Sequence, residues 1–432
     1  MPTEVERIDP IDPVFISYRQ SDGTPITEEL AWLLRAAGVP VWRDRDDLPP
    51  GDTIERLRQA IDEGLSGAVL VITPETADSP IVKHVEAPKL LELHGSDTAF
   101  ALGITNGLAR ADGGIDYGAP DRLLGLESPQ LGGVDQHSAS RTGLLETVRK
   151  IAFHRISSCR TRVASADATL RVSIQTRNSP QVYDRTESEL DIRVRPSDHE
   201  KLPSHDGLLD LKDTLGLLPD CITRANARRV VVTGGAHLSV ALALGCAVPS
   251  SRVGQLDVVS QHGQTWHSGG EAEFTQPSPL QLIRESSNVN LPLGRPAVAA
   301  YIDLLAIGSN AAFDRFVDEN EAQFVAWKHW SRVGTDSVDP GDGGAVASEI
   351  AASIRKLSAD NGNAVVHLLM RCPFSMAVLV GRLTNTLRLV AYEWDDSDEA
   401  LDTTGRPQYV PVMRLRASAT AGVIEEVLGV DV

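Results

Sequence analysis

Cysteine is scarce in this 432-residue chain, and its residues are far apart. The four cysteines form no CxxC or CxxH pair, so we expect neither a zinc site nor any other bound metal. A chain of this length buries a large core and needs no disulfide framework. The sequence also lacks an apolar signal core and any apolar run of membrane-spanning length. These absences predict a cytoplasmic protein from a reducing compartment.

Positive charge is also in short supply. The chain has 41 lysines and arginines against 59 aspartates and glutamates, a net charge of -18. Because affinity for duplex nucleic acid depends on neutralising phosphates, this balance argues against a duplex as partner. It leaves room for a small anionic ligand in a local basic pocket. Hydrophobic content of 42% is that of an ordinary globular protein, and the length predicts about two or three domains.

Short apolar runs alternate with helical spacing over the first 110 residues. The predicted strands are Val14–Tyr18, Val39–Trp42, Val69–Ile72 and Thr98–Ile104, with helices between them. Alternation of this kind is typical of a parallel sheet with right-handed crossovers. The sequence therefore predicts an α/β fold for this part of the chain.

One carboxylate stands out at a predicted junction between strand and helix. Glu86 ends the stretch Ser79–Glu86, which follows a buried run and leads into an apolar helix. A carboxylate there can face the cleft above a parallel sheet, where ligands of α/β folds collect. It can equally be an ordinary first-turn acid that favours a helix N-terminus. Glu92, further along the same helix, is the alternative candidate.

Three motifs in this region together resemble a TIR domain. They are Val14-Phe15-Ile16-Ser17-Tyr18-Arg19, then Trp42-x-Asp44-x-x-x-Leu48-x-x-Gly51, and then the Val69 to Thr73 run followed by Glu86. The resemblance implies a flavodoxin-like sheet over residues 1–155. It also implies that Glu86 is the catalytic residue for cleavage of NAD at the nicotinamide–ribose bond. NAD is then the substrate, and no cofactor is implied.

The resemblance assigns further roles. Phe15, Tyr18 and Trp42 can bind the substrate by lining the NAD cleft or can pack the core, and the core is preferred for Phe15. Arg19 can meet the substrate phosphates or be a solvated loop arginine, and Asp44 is a further substrate-binding candidate. The resemblance implies that Asp46, Asp47, Leu48 and Gly51 belong to a loop that mediates TIR–TIR packing. Enzymatic members often carry Trp-Cys before the glutamate, whereas this chain has Ile81-Val82. A non-enzymatic TIR scaffold and a cyclase that makes cyclic ADP-ribose therefore stay open as alternatives.

The chemistry implied for Glu86 is reasonable on physical grounds. Breaking an N-glycosidic bond develops positive charge on the ribose, and one fixed carboxylate stabilises such a transition state. Beyond this region, residues 109–141 are rich in glycine, aspartate and proline and indicate a long surface loop. We expect the domain boundary between Arg155 and Asp167, with a second domain over 165–432.

The second domain contains an internal repeat. His237–Gly245 and Pro373–Gly381 both place a serine, an apolar helix and a glycine in register, and each lies between two predicted strands. Glu189–Val194 and Val298–Leu305 are predicted as the equivalent first strands. The repeat predicts two α/β halves, about 165–285 and 286–432. Asp314–Trp330 is predicted to be a helix, with Trp327 and Trp330 on one face.

This repeat resembles the SAVED domain, which consists of two fused CARF-like units arranged as a pseudo-twofold tandem. The resemblance implies a sensor for cyclic tri- or dinucleotides in bacterial anti-phage (CBASS) signalling. Ligand binding would drive head-to-tail self-association or filament formation and activate the TIR domain. Phosphate donors and stacking surfaces are needed for such a ligand, and the candidates are Lys201, Arg224, Ser239, Trp266, Arg371, Ser375, Tyr392 and Trp394.

The two serines of the repeat have a specific reason to be on that list. Ser239 and Ser375 start their helices, where backbone N–H groups and the helix dipole favour an anion. Both can equally be plain N-caps.

Overall fold

The structure is a computed structural model that describes residues 8–42, 61, 63–126, 130–177, 187–199, 201–269, 280–287, 296–334 and 337–429. The chain divides into two compact units. Unit 1 comprises residues 1–173, 179–193 and 220–227, and unit 2 comprises 174–178, 194–219 and 228–432. No described helix is both long enough and apolar enough to cross a bilayer.

The N-terminal sheet is fully parallel among the described residues, with strand order β2-β1-β3-β4-β5. The predicted α/β fold of this region is therefore confirmed. The elements in chain order are β1 (Val14–Ser17), α1 (Gln20–Ala36), β2 (Val41–Trp42), β3 (Gly67–Ile72), α2 (Ala87–Ser96), β4 (Ala101–Asn106), α3 (Ala119–Leu124), β5 (Gln136–Ser138), α4 (Arg141–Ser158) and α5 (Arg160–Ser165).

Apolar side chains on both faces of β3 explain its central place in this sheet. All six residues of β3 are buried, as expected for a strand covered on both sides by helices. One core cluster joins Phe15, Leu70, Leu90 and Ile104 from β1, β3, α2 and β4. Because parallel strands end at one edge, the residues that follow β1 and β3 lie close together there.

The remaining strands form two further sheets. One has the order β10-β9-β8-β6-β7, and the other has the order β11-β13-β12-β14-β15-β16-β17. Their strands are β6 (Thr169–Gln175), β7 (Leu190–Arg193), β8 (Arg229–Gly235), β9 (Gln255–Val259), β10 (Thr265–His267), β11 (Leu280–Ser287), β12 (Ala297–Asp303), β13 (Ala326–Arg332), β14 (Val365–Arg371), β15 (Leu389–Asp395), β16 (Gln408–Leu415) and β17 (Ile424–Val427). Their helices are α6 (His205–Thr214), α7 (Leu218–Arg224), α8 (Leu238–Ala247), α9 (Ala311–Asn320), α10 (Gly343–Asp360) and α11 (Phe374–Arg382).

The internal repeat appears as two strand–helix–strand segments, β8-α8-β9 and β14-α11-β15. In each segment the two strands pair in parallel, with Val230 opposite Leu256 and Val366 opposite Leu389. The predicted tandem of α/β halves is confirmed. The predicted equivalence of Glu189–Val194 with Val298–Leu305 is wrong, because strand order makes β6 the counterpart of β12. Each of these strands lies next to the first strand of its repeat segment.

The helix predicted over Asp314–Trp330 is also wrong beyond Asn320, where α9 ends. Trp327 and Trp330 lie on β13, which pairs with both β11 and β12. Aromatic residues favour strands, and a spacing of three residues does not distinguish strand from helix. Trp327 packs edge-on against Phe313 of α9, with ring centroids 5.5 Å apart.

Helices α8 and α11 cross at equivalent glycines of the repeat. A Cβ atom built on Gly245 would lie 2.1 Å from the Val378 carbonyl oxygen, and one on Gly381 would lie 2.2 Å from the Leu242 carbonyl oxygen. No real Cβ atom fits at such distances from backbone. The two helices of the repeat therefore meet backbone against backbone.

This contact predicts an unusual sign for a helical glycine-to-alanine change. Alanine normally stabilises a helix by about 1 kcal/mol relative to glycine, but Gly381→Ala must push α8 and α11 apart. We expect the free energy of unfolding to fall by about 1–3 kcal/mol, measured by denaturant unfolding. The matched control is Gly95→Ala in α2, where a Cβ atom meets nothing within 4 Å. A stabilised Gly381→Ala variant would show that the crossing is not tight.

Candidate functional site

Glu86 lies at the edge of the N-terminal sheet where β1 and β3 end. It closes a π-helical turn, Val82–Glu86, that leads directly into α2. Turns of this kind are frequent at functional sites. The carboxylate is 7% exposed, and its Oε2 atom accepts a hydrogen bond of 2.5 Å from Ser17 Oγ. A nearly buried carboxylate is thus held in one orientation.

The alternative candidate has a different environment. Glu92 lies on α2 with its side chain 68% exposed, and its Oε2 atom is 3.0 Å from Lys89 Nζ. Such i,i+3 pairs are common on solvated helix faces. The geometry therefore favours Glu86 over Glu92 as the carboxylate that could act on a bound substrate.

The aromatic residues of the first motifs lie beneath this edge. Phe15 and Trp42 are buried in the core cluster, with ring centroids 5.2 Å apart. Tyr18 is also buried. Arg19 is partly exposed, and its Nε atom is 2.7 Å from Ser21 Oγ and 3.3 Å from a Glu75 carboxylate oxygen. Asp44, Asp46, Asp47, Leu48 and Gly51 lie outside the described residues.

Ser17 was not singled out from the sequence. It is 1% exposed at the end of β1 and is the hydrogen-bond donor that orients Glu86. Its position in the first motif, one residue before the strand gives way to a loop, was the available signal. A polar residue there is aimed at the same sheet edge as Glu86.

In unit 2, the start of α8 is already in contact with a carboxylate. The Ser239 backbone N–H donates to Glu393 Oε1 at 2.7 Å. Glu393 lies on β15, 154 residues away, and is 5% exposed. Burial raises the pKa of Glu393 to about 7. The helix start at Ser239, which was predicted as an anion site, therefore faces an internal acid.

Most of the other predicted ligand residues are buried. Ser375 lies in the first turn of α11 and is 1% exposed. Trp266 is buried on β10 with its ring against Gly343. The Tyr392 hydroxyl is 2.6 Å from His367 Nδ1. Trp394 is the penultimate residue of β15 and packs against an aromatic cluster.

Arg371 and Lys201 both have acidic partners. Arg371 Nη1 lies 2.8 Å from the buried Asp303 carboxylate on the neighbouring strand. Lys201 Nζ lies 3.4 Å from Asp396. Lys201 lines a pocket of ≈ 1100 Å³ that also holds the acidic residues Asp198, Asp395, Asp396, Asp398 and Glu399. That lining repels a phosphate.

Arg224 is not brought together with the other predicted ligand residues. It belongs to unit 1, where its guanidinium lies 4.1 Å from the centroid of the Phe153 ring. There it lines a separate pocket of ≈ 460 Å³ with His94, His137 and His154. Across the described ranges, no cluster of three or more His, Cys, Asp or Glu side chains could hold a metal ion.

Comparison with known families identifies the two parts of the chain. A model of the TIR domain matches residues 14–95. A model of the SAVED domain, the SMODS-associated and fused to various effectors sensor domain, matches residues 218–415. The chain thus joins a TIR domain to a SAVED domain, as the motifs and the repeat predicted.

One curated protein and several solved structures are similar to the chain. The NAD(+) hydrolase PdTIR of Paracoccus denitrificans is 46% identical over 55 residues, which span 13% of this chain and 17% of that protein. The Cap4 SAVED/CARF-domain containing receptor of Acinetobacter baumannii with 3'3'3'-cAAA is 13% identical, with a TM-score of 0.42, over 91% of this chain and 97% of that one. The Moraxella osloensis Cap4 receptor is also 13% identical, with a TM-score of 0.39 and coverage of 91% and 97%.

The Arg371–Asp303 pair gives a testable prediction. Arg371→Met leaves the Asp303 carboxylate buried without its counter-ion, and we expect a loss of at least about 2 kcal/mol in the free energy of unfolding. Asp303→Asn in the same chain should restore most of that loss. A double-mutant cycle by denaturant unfolding measures the coupling. Simple additivity would show that Arg371 does not serve as the counter-ion of Asp303.

Proposed function

We propose that this chain is a ligand-gated NAD glycohydrolase of bacterial anti-phage (CBASS) defence. The observation that carries the proposal is the Glu86 carboxylate, nearly buried and oriented by Ser17 at the sheet edge of a TIR domain. The local similarity to an NAD(+) hydrolase supports the same substrate. In this proposal, NAD is hydrolysed to nicotinamide and ADP-ribose.

The proposed chemistry needs only one charged group at the reacting sugar. As the bond between nicotinamide and ribose breaks, positive charge develops on the ribose. The Glu86 carboxylate stabilises that charge in a site largely closed to water, where electrostatic stabilisation is strongest. Ser17 acts as a positioning residue, because its hydrogen bond fixes the carboxylate before the substrate arrives. Water then completes the hydrolysis at the ribose.

The proposed gate is the SAVED domain. A cyclic tri- or dinucleotide is an anion, and the repeat supplies two helix starts, α8 and α11, of the kind that accept phosphate. Ligand binding drives head-to-tail self-association, which produces a filament if the contact does not close on itself. The loop with Asp44 to Gly51 of one TIR domain then completes the cleft of its neighbour. NAD depletion would stop growth of the infected cell.

Substitution of Glu86 tests the catalytic assignment. Glu86→Gln removes the charge but keeps the shape, and we expect nicotinamide release to fall by a factor of about 10²–10³ or more. Release is measured with purified protein, NAD and a panel of cyclic di- and trinucleotides that includes 3'3'3'-cAAA. The matched control, Glu92→Gln on the exposed face of α2, should keep wild-type turnover.

The same assay separates the competing functions. Equal turnover by Glu86→Gln and wild type would remove Glu86 from the reaction. Absence of turnover with a nucleotide that demonstrably binds would support a TIR scaffold, the reading favoured by Ile81-Val82 in place of Trp-Cys. The mass of the product distinguishes ADP-ribose from cyclic ADP-ribose.

Self-association gives an independent prediction. If the ligand activates the TIR domain by bringing chains together, the activating nucleotide should increase the particle mass measured by light scattering. Turnover per chain should then rise with protein concentration, because each active cleft needs a second chain. Full activity of a liganded chain whose mass does not change would contradict the assembly step.

A further inference from the structure

Three features that favour an anion meet where α8 begins: the backbone N–H of Ser239, the positive end of the helix dipole and the Arg177 guanidinium. The backbone N–H of Ser239 points at Glu393, and α8 is long enough for its dipole to favour negative charge at this end. Arg177, exposed just after β6, lies close enough to act electrostatically on both His237 and Glu393. His237 is the N-cap residue of α8 and is 3% exposed.

The His237 side chain has a buried nitrogen without a partner. Thr176 Oγ1 accepts the His237 backbone N–H and lies 2.9 Å from His237 Nδ1. The direction of the hydrogen bond between Thr176 Oγ1 and Nδ1 depends on the ring tautomer, and in either tautomer the Nε2 atom is buried. Among the described residues, Nε2 has no hydrogen-bond partner. Buried polar atoms are normally hydrogen-bonded, so Nε2 retains capacity for a further partner.

At this helix start the Glu393 carboxylate accepts the Ser239 backbone N–H and also lies near the Leu238 backbone N–H. The Ser239 hydroxyl lies beside the carboxylate, but it does not reach hydrogen-bonding geometry with any described residue. The repeat places Ser260 at the position equivalent to Glu393, four residues after Leu256 as Glu393 is four residues after Leu389. The fold therefore does not require an acid at this position of the strand.

We propose that Glu393 holds the phosphate subsite of the SAVED domain when it is empty, and takes up a proton when a ligand phosphate binds there. The inference rests on the proposed function and adds a regulatory step to it. As a neutral acid, Glu393 can donate a hydrogen bond to the phosphate instead of repelling it. Displacement is the less favourable alternative, because β15 lies between β14 and β16 and leaves the side chain 5% exposed.

The other groups that face Glu393 do not titrate between pH 6 and 8. Burial lowers the pKa of His237 to about 4 and raises the pKa of the Cys372 thiol, after β14, far above its usual range. The Arg177 guanidinium lies near Glu393, and β16 presents Val410 opposite Glu393. With the pKa of Glu393 near 7, its charge therefore changes within this window.

Proton uptake on ligand binding tests the inference directly. Isothermal titration of the full chain with the cyclic nucleotide that activates it, 3'3'3'-cAAA first, is run in buffers of different ionisation enthalpy. We expect uptake of about 0.9 proton per bound ligand at pH 8 and about 0.1 at pH 6, with affinity about tenfold weaker at pH 8. Proton uptake is larger at pH 8 because Glu393 in the ligand-free protein is mostly ionised above its pKa. It must therefore take up a proton when the ligand binds.

Two variants make the result specific. Glu393→Gln mimics the neutral acid, so it should bind at pH 8 as tightly as the wild type does at pH 6, with the proton uptake lost. Asp395→Asn removes the other buried acid on the same face of β15 and should keep the tenfold pH dependence. Thermal unfolding checks that each variant is folded. Proton uptake by the wild-type protein tests the inference even if one of the variants does not fold.

The outcomes separate this inference from the proposed function. Ligand binding by the wild type without proton uptake, or with pH dependence retained in Glu393→Gln, would overturn the role of Glu393 alone. If the wild type binds no cyclic di- or trinucleotide at either pH, the proposed function fails, and the inference fails with it.

Discussion

The close crossing of α8 and α11 is the constraint on which the SAVED part depends. Because Gly245 and Gly381 each lie against backbone of the opposite helix, neither helix can shift without losing contact along its length. Each helix starts at the end of a repeat strand, so the crossing also fixes where the two helix starts lie within unit 2. It is this fixed placement that brings Glu393 of one repeat to the first turn of the helix in the other.

The TIR part depends on a simpler rule. Parallel strands end at a common edge, and the end of β1 and the turn after β3 place Ser17 beside Glu86 although 69 residues separate them. Phe15 and Trp42 support that edge from the core. Whatever binds there meets a carboxylate whose orientation was set by folding, so little reorganisation remains for the reaction.

The fold could be predicted where apolar residues recur at a regular spacing along the sequence. Alternating strands and helices gave the parallel sheet, and the matching helices at Ser239 and Ser375 gave the repeat. Trp327 and Trp330 misled because a spacing of three residues fits both a helix and a strand. The environments of the site residues were not predictable, since Glu393 reaches Ser239 across 154 residues and Arg371 is held by Asp303 from another strand. Nothing local in the sequence encodes such pairs.

The two acids that matter most in these proposals are used in opposite ways. Glu86 works as a charged group, because only a carboxylate stabilises a developing cation, and its hydrogen bond from Ser17 is one that charge strengthens. Glu393 works when neutral, because a second anion beside a phosphate would weaken binding. Both carboxylates are nearly buried, but their partners differ: the Ser17 hydroxyl at a sheet edge for Glu86, and the Ser239 backbone N–H at a helix start for Glu393. Raising the pH would therefore weaken ligand binding at the gate without removing the charge that the reaction needs.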